Sequence, residues 1–406
     1  MSESRLPKFI DTVIIGAGIT GCSTALALAE RGCTDLLIVD RSSISVPAGS
    51  TGHAPGLLGQ ISQSRDMTEL AKRSAHLYRT TPAEHPAYSA VGSVEVARGE
   101  MAIRRFEDKV KRGTAAGLSA RLLERVDLSA LLPDMDTRGL AAGIFAPDDG
   151  VLDARRALVG IAERVRNAGI AIHEQTEVHR IVVERGKVTG VETSLGRINC
   201  SRVLVAVGIW GAIFLDSLDV KLPLFPVQHP YLYTEPLPSL AKTEVEASLP
   251  FVRDLDHLTY FRQHGQGYGY GWYNHPPLLA EMLRQPSSEL PYRADVFDPT
   301  RRLELFPFLK DAPVRRRLNG IFSMTPDGLP LLGCLRSVEG LWVAEAVWVA
   351  HAGGVGQVMA ELLLDGRTDI VDQALFDAGR FSGESLSSAC RRSLSLYNDI
   401  YQWPMQ

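Results

Sequence analysis

Residues 12–40 decide the fold, and they read TVIIGAGITGCSTALALAERGCTDLLIVD. Thr12–Ile15 is a short apolar run that is typical of a buried strand, and Leu36–Val39 is a second one. Between them, Thr20–Arg31 carries apolar residues at helical spacing, and Gly32 follows as a stop signal. This order of strand, turn, helix and strand predicts a right-handed unit of a parallel sheet.

The turn of this unit has the pattern G-x-G-x-x-G, formed by Gly16, Gly18 and Gly21. The first glycine permits a tight turn, the second lets the backbone approach a pyrophosphate, and the third lets the helix pack closely on the strand. The amides of Ile19 and Thr20 fall at the helix start, where an anion is favoured. The turn therefore predicts a site for a dinucleotide cofactor.

An acidic residue, Asp40, closes the second strand, where its carboxylate can accept hydrogen bonds from ribose hydroxyls. A single glycine pattern, a loop of small residues at 42–59 and a late glycine pair favour one long cofactor, FAD, over two separate nucleotides. A pyridine-nucleotide disulfide reductase needs a second pattern and a redox cysteine pair, and neither is present. The five cysteines form no C-x-x-C, and they are Cys22, Cys33, Cys200, Cys334 and Cys390.

Composition narrows the class of protein further. The 406 residues are 45% hydrophobic and 22% charged, which is typical of a globular chain with room for two domains. A net charge of −4 gives no basic stripe for nucleic acid. No apolar run reaches membrane-spanning length, so we expect no membrane partner. The start, MSESRLPKFID, has no signal-peptide pattern and predicts a cytoplasmic protein, with organelle targeting left open.

Pieces of the nucleotide-binding type recur late in the chain. Val203–Val207 and Leu341–Ala346 read as buried strands, and a Gly353-Gly354 turn precedes a predicted helix over Val355–Leu364. The aromatic stretch 222–317 instead contains alternating segments typical of an antiparallel sheet. We therefore predict an α/β fold, with a Rossmann-like FAD-binding domain interleaved with an α+β substrate domain built on an antiparallel sheet. The expected FAD-binding residues are 1–90, 146–218 and 318–380, the substrate domain is 91–145 and 219–317, and a tail helix is 381–406.

Four longer blocks carry a family resemblance, namely STGHAPGL at 50–57, GSVEVA at 92–97, GIFSMTPDG at 320–328 and VAEAVWVAH at 343–351. They resemble the flavin part of the dimethylglycine oxidase and sarcosine/dimethylglycine dehydrogenase branch of the D-amino-acid-oxidase-like FAD-dependent oxidoreductases. The resemblance covers nearly the whole chain. It implies an FAD enzyme that oxidises amines.

The resemblance also implies how the flavin is held. The ring of His53 corresponds to the histidine that bonds to the 8α-methyl group of the flavin; the alternative is that His53 only lines the cofactor site. Monomeric sarcosine oxidases use a cysteine instead, and its place is taken here by Gly320. The backbone of Val178 is expected to bind adenine. The other residues that the resemblance places along the cofactor are Arg41, Ser50, Thr51, Gly52, Leu57, Val347, Trp348, Val349 and Ala350.

Two residues of the aromatic stretch match catalytic positions of dimethylglycine oxidase. By this resemblance Tyr260 hydrogen-bonds the substrate and His229 tunes its protonation. By residue type alone, the first can equally be a core residue and the second a satisfied buried polar group. Arg262 falls on the same strand face as Tyr260, where it could bind a substrate carboxylate or pair with an acid. Histidines 257, 264 and 275 lack the spacing of metal ligands, so we predict no metal.

The predicted activity is that of an FAD-dependent amine oxidase or dehydrogenase acting on CH–NH bonds. It takes a hydride from the carbon beside a secondary or tertiary amine, in the first instance an N-methyl amine, and the iminium is hydrolysed in an oxidative demethylation or cyclised. The alternatives are a 2-hydroxy-acid flavin oxidoreductase and a non-catalytic flavoprotein. Many relatives carry a folate-binding domain after the flavin part. Because this chain stops at Gln406, we expect a small-molecule amine as partner and no folate domain.

Overall fold

The computed structural model describes residues 6–82, 86–99, 101–282, 285–298 and 303–401. The strands are β1 (Phe9–Ile15), β2 (Leu36–Val39), β3 (Leu57–Leu58), β4 (Tyr88–Ser89), β5 (Ser93–Ala97), β6 (Arg121–Leu123), β7 (Ala142–Ala146), β8 (Gly150–Leu152), β9 (Ala171–His173), β10 (Val178–Glu184), β11 (Lys187–Thr193), β12 (Gly196–Val205), β13 (Phe225–Thr234), β14 (Phe251–Asp254), β15 (Thr259–His264), β16 (Gly267–Trp272), β17 (Val314–Met324), β18 (Leu331–Cys334) and β19 (Leu341–Glu345). The helices are α1 (Ile19–Glu30), α2 (Arg65–Thr80), α3 (Met101–Ala115), α4 (Arg125–Leu131), α5 (Ala154–Asn167), α6 (Gly211–Asp216), α7 (Ala352–Asp365), α8 (Gln373–Phe376) and α9 (Leu386–Asn398).

The first sheet is built around the predicted strand–turn–helix–strand unit. Its strand order is β10-β11-β12-β1-β2-β9, with β19 beside β12 and β18 beside β19. Its centre is parallel, because β1 pairs in parallel with both β12 and β2. Helix α1 is apolar on nearly all sides and packs against α5 and α7, which explains why residues 19–28 are all buried. This arrangement confirms the Rossmann-like part of the predicted fold.

The second sheet has the order β17-β13-β16-β15-β14-β5-β7-β6. Its neighbouring strands are antiparallel except for β14 and β5, which run parallel. The predicted antiparallel sheet is therefore confirmed. Helix α9 lies against β13 and β17, so the tail of the chain covers part of this sheet. Among the described helices, none combines the length and apolarity that a membrane crossing requires.

Two local predictions differ from the structure. Gly353 and Gly354 do not form a turn, since both lie inside α7. A Cβ on Gly353 would lie 2.8 Å from Cα of Ser74, and one on Gly354 would lie 2.5 Å from the carbonyl oxygen of Leu70. The glycines therefore allow α7 to contact α2 closely, and a turn was the wrong interpretation.

The boundary expected at residue 318 falls inside β17. This strand pairs along its length with β13, so all of it belongs to the second sheet. The alternation of polar and apolar residues that marks a strand does not reveal which sheet it joins. The expected tail helix 381–406 contains α9, and its last residues, 402–406 with Trp403, lie outside the described part of the chain.

Candidate active site

A cavity of about 800 Å³ extends from the turn after β1 to the face of the second sheet. Cofactor and ligand sites fall in the range of roughly 300–1,000 Å³. Residues of the glycine turn and the end of β2 line one end, while side chains from β13 and β15 line the other. The cavity thus joins the predicted cofactor residues to the predicted catalytic pair.

The glycine turn is built as the sequence predicts. Gly16 has φ +110°, and a Cβ there would lie 2.3 Å from the carbonyl oxygen of Ala206. A Cβ on Gly21 would lie 2.0 Å from the oxygen of Gly16. Any side chain at these positions would push the turn away from β12 or from α1. The glycines therefore hold the start of α1 close to the end of the sheet.

Polar groups at this end suit a nucleotide. The amide of Ile19, at the start of α1, donates to Oγ1 of Thr51 at 3.2 Å, which marks where an anionic oxygen can be bound. The carboxylate of Asp40 accepts from the amide of Ala17 at 2.7 Å and from the amide and hydroxyl of Ser42 at 2.7 Å. It also lines the cavity, within reach of a ligand's hydroxyl groups.

Further along, Arg41 is fixed in place rather than free in solvent. Its guanidinium carbon lies 4.2 Å from the centroid of Trp210, and its Nη2 donates to the oxygen of Pro286 at 3.1 Å. Val178, the first residue of β10, and Leu57 of β3 also line the cavity. The structure thus brings the predicted cofactor residues of four separate segments to one wall.

His53 lies between two residues that the sequence did not single out. Its Nδ1 is 2.5 Å from Oγ of Ser288 and 3.3 Å from the oxygen of Gly49. Its Nε2 is 3.2 Å from a carboxylate oxygen of Glu289, which also pairs with Arg316 at 2.5 Å. Burial lowers the pKa of His53 and outweighs the carboxylate's opposing effect, so the neutral ring is favoured.

The segment before α7 closes the cavity from another side. Val347, Trp348, Val349 and Ala350 all line it. Tyr78 holds this segment by donating its hydroxyl to the oxygen of Val349 at 2.6 Å. The next residue, His351, also lines the cavity, and its buried Nδ1 has no hydrogen-bond partner within the described ranges. Burial lowers the pKa of His351 to about 4, so the ring is uncharged near pH 7. Its Nδ1 is therefore a neutral polar atom that a bound ligand can hydrogen-bond.

These features fit FAD. The glycine cradle, the amide at the start of α1, the acid at the end of β2 and the unpartnered nitrogen of His351 all border one continuous cavity. If FAD binds here, the first three hold its ADP half and the segment 347–351 lies beside its ring. His351 was not predicted as a cofactor residue, although it is the last residue of the block 343–351 that carries the family resemblance.

The predicted catalytic pair forms at the other end of the cavity. Tyr260 Oη lies 2.6 Å from Nε2 of His229, and the planes of the two rings are nearly parallel, with centroids 5.7 Å apart. Both side chains are buried, and Tyr273 and Phe322 contact the histidine ring. Burial raises the pKa of Tyr260 well above its usual range, while burial and His275 lower that of His229. Both groups are therefore neutral near pH 7.

Two more residues extend this pair. Tyr397 of α9 places its Oη 2.5 Å from Nδ1 of His229 and 2.9 Å from Nε2 of His275. In the sequence, Tyr397 falls in the predicted tail helix 381–406 and carries no signal of a role at the site. Tyr401 follows it by four residues, a spacing that would put both rings on one face of a helix, but α9 ends at Asn398.

Arg262 is not at the cavity surface, and of its two interpretations the structure favours pairing with an acid. Its buried guanidinium pairs with Glu246 and donates to the carbonyl oxygens of Pro55 and Leu152. Because these acceptors lie around β3 and β8, Arg262 ties the small sheet β3-β8-β4 to the second sheet.

A charged cluster lies beside the catalytic pair instead. Arg253 of β14 is directly opposite Tyr260 on one side and Glu95 of β5 on the other. Glu95 pairs with Lys109 at 2.8 Å and with Arg253 at 3.1 Å. Although burial disfavours its charge, these two cations lower the pKa of Glu95 to about 2. Arg105 of α3 also lines the cavity and has no ion pair or hydrogen bond among the residues that the structure describes.

Comparison with known proteins gives consistent matches. A family model described as FAD dependent oxidoreductase matches residues 11–362. Mitochondrial dimethylglycine dehydrogenase of Mus musculus is 27% identical, over 98% of this chain and 47% of that protein. Formaldehyde-forming 4-methylaminobutanoate oxidase of Paenarthrobacter nicotinovorans is 28% identical, over 94% of this chain and 47% of that protein. The chain thus spans about half the length of the curated relatives it matches.

Solved structures share the fold. L-proline dehydrogenase from P. horikoshii superposes with a TM-score of 0.79 at 21% identity, covering 93% of this chain and 99% of that chain. Glycine oxidase from Bacillus cereus superposes with a TM-score of 0.70 at 23% identity, covering 89% of this chain and 96% of that chain. This chain therefore shares its overall fold with both of these proteins.

Proposed function

This chain belongs to the family of FAD-dependent oxidoreductases, and we propose that it oxidises a secondary or tertiary amine at the carbon beside the nitrogen. FAD, when bound, supplies the acceptor for the hydride that leaves this carbon. The amine becomes an iminium, which water hydrolyses to an aldehyde and a shortened amine, or which a nucleophile of the same molecule traps in a ring. For an N-methyl amine, hydrolysis releases formaldehyde and is an oxidative demethylation.

The observation that carries this proposal is the neutral Tyr260–His229 pair on the cavity wall. A hydride can leave only when the lone pair of the nitrogen is free, so a bound ammonium group must first lose its proton. A carboxylate beside the nitrogen would stabilise the ammonium form. A neutral tyrosine oxygen accepts the N–H without that effect and leaves the proton free to depart.

The relatives and the charged cluster together support a narrower substrate class. Two relatives are named for dimethylglycine and 4-methylaminobutanoate, which are both N-methyl amines with a carboxylate. In this chain Arg253 lies opposite Tyr260 on the neighbouring strand, at a Cβ separation of about 5 Å expected for such pairs. With Arg105 on the same cavity, a cationic patch is available for an acidic group. We therefore propose an N-methyl amine that carries an acidic group.

Anaerobic reduction of the bound flavin tests this function. The FAD-loaded protein is mixed without oxygen with dimethylglycine, 4-methylaminobutanoate, uncharged N-methyl amines and 2-hydroxy acids. We expect the amines to bleach the flavin and release formaldehyde, with the acid-bearing amines about tenfold faster at low concentration, since one charged contact contributes on the order of 1.4 kcal/mol. Bleaching by hydroxy acids alone would contradict the proposed amine oxidation. Equal rates for acid-bearing and uncharged amines would contradict the proposal that the substrate carries an acidic group.

We also propose that an unprotonated ring nitrogen of His53 forms a covalent bond to the 8α-carbon of the flavin. A C–H bond of the 8α-methyl group would break, its proton would leave, and the two electrons would pass through the flavin to an electron acceptor such as oxygen. Support comes from its place on the cavity wall and from its neutral ring, because only an unprotonated nitrogen can form a bond to carbon. Ser288 and Glu289 hold the ring by both nitrogens, so that its orientation is defined. This bond would retain the cofactor under conditions that unfold the protein.

The His53→Ala variant should still bind FAD but should release it on acid precipitation. We expect the precipitated wild-type protein to stay yellow, whereas the variant should leave nearly all of its colour in the supernatant. His76→Ala serves as the control, since His76 is an exposed histidine on α2. A wild-type precipitate that loses all its flavin would show that His53 only lines the site.

A further inference from the structure

We propose that Tyr397 and His275 complete a path that carries a proton from the bound ammonium form of the substrate, through Tyr260 and His229, into the protein. The inference rests on the proposed amine oxidation and adds the C-terminal helix α9 to the active site. Tyr397 does not line the cavity, so it acts on the substrate only through His229.

Four contacts connect these groups without a break. Tyr260 Oη is 2.6 Å from Nε2 of His229, and Nδ1 of that histidine is 2.5 Å from Oη of Tyr397. The same hydroxyl is 2.9 Å from Nε2 of His275, whose Nδ1 is 2.9 Å from the oxygen of Pro276. All four side chains are buried, so water cannot substitute freely for any of these contacts.

The last contact determines the direction of the others. A carbonyl oxygen only accepts, so Nδ1 of His275 carries the hydrogen. The path takes this ring as neutral before the substrate binds, so that its Nε2 accepts from Tyr397. With its one hydrogen used, the Tyr397 oxygen accepts from Nδ1 of His229. Nε2 of His229 is then an acceptor, and the hydroxyl of Tyr260 donates to it.

This direction leaves the oxygen of Tyr260 as an acceptor towards the cavity. A bound ammonium group donates its N–H to that oxygen. When the proton moves to Tyr260, the tyrosine passes its own to His229, which passes its Nδ1 hydrogen to Tyr397, which in turn protonates His275 at Nε2. One proton leaves the substrate, one arrives at His275, and the three groups between them end neutral. The freed lone pair then assists loss of the hydride.

The middle of the path does not favour a positive charge. The ionisable groups around the path are Tyr231, Tyr273, Tyr401, Glu95, Arg253 and Asp254, with Asp298 next to Phe297, whose ring packs on His275. Among the residues that the structure describes, no carboxylate contacts His229, and burial keeps its pKa well below 6.5. His229 is therefore suited to pass a proton on rather than to keep it.

Helix α9 is fastened where the path needs it. The amide of Asn398, next to Tyr397, donates to the oxygen of Tyr273 at 2.8 Å and to that of His275 at 2.9 Å. One side chain thus clamps the helix end to the segment that carries His275.

The test compares two variants of the FAD-loaded enzyme. Tyr397→Phe removes the middle of the path, whereas His275→Gln keeps an acceptor for Tyr397 but cannot take up a proton. In both, the pKa that governs the limiting rate of flavin reduction should rise towards that of the free amine by about one unit, which lowers the rate at pH 7 about tenfold. Above the pKa of the free amine, both should approach the wild-type rate. Tyr268→Phe, which removes a buried hydroxyl away from the cavity, is the matched control.

Two results would overturn the inference. Tyr397→Phe could lower the rate equally at every pH, which indicates a structural role, or His275→Gln could keep the wild-type profile. ¹⁵N NMR of the histidine rings gives a readout that needs no turnover: His229 should be neutral and protonated at Nδ1 in the wild type and should lose this form in Tyr397→Phe. If no amine bleaches the wild-type flavin, the proposed function fails, and an Nε2-protonated His229 separately overturns the path.

Discussion

Replacing Tyr260 by phenylalanine should slow the reduction of the flavin by amines about 100-fold or more, in keeping with the roughly 10²–10⁴-fold contribution of a positioned acid or base. The hydroxyl is the only part of the side chain that is lost, and it lies 2.6 Å from His229. Its removal leaves the ammonium group without its acceptor and Nε2 of His229 without its donor. Stopped-flow bleaching without oxygen measures the effect directly.

The Tyr260→Phe substitution should lower only the rate of flavin reduction. FAD content and thermal stability should stay near those of the Tyr268→Phe control, since Tyr268 is also a buried tyrosine of the second sheet. The rate should recover in part at high pH, where the amine arrives already deprotonated. A Tyr260→Phe enzyme with an unchanged rate at pH 7 would refute the role of this residue in proton removal.

Gly16→Ala should abolish FAD binding, which is the other large effect. The added Cβ would lie 2.3 Å from the oxygen of Ala206, at a φ of +110° that disfavours any side chain. The turn must move by about 1 Å to relieve the contact, and displacements of that size can cost about 100-fold in function. We expect at least a tenfold fall in FAD bound per chain, measured by absorbance after desalting.

The Gly32→Ala variant tests whether the effect of Gly16→Ala comes from backbone strain or from the close contact with Ala206. Gly32 also has positive φ, +81°, but a Cβ there would meet nothing within 4 Å. It should lose about 1 kcal/mol of stability, the cost of a left-handed conformation, and keep its FAD. If both variants lost FAD equally, strain alone would explain the result, and the close approach at Ala206 would not matter.

The fold was largely predictable because its signals are local. The buried strands β1 and β2, the glycine turn and Asp40 lie within 32 consecutive residues, 9–40, and strand length and glycine placement follow from their own neighbours. Tyr260 and His229 were found by resemblance, because by residue type alone each is as compatible with a core role. Their proximity across β13 and β15 is a property of the sheet.

What the sequence by itself determined is therefore the cofactor turn, the two kinds of sheet and the family. Only the tertiary structure decided which distant groups meet. Tyr397 contacts His229 across 168 residues, Ser288 meets His53 across 235, and Arg262 is buried against Glu246 rather than directed at the cavity. Hydrophobic periodicity reports which side of an element is buried, but hydrogen bonds between separate elements depend on how those elements pack. Such packing arises from the whole chain at once, so no local pattern encodes it.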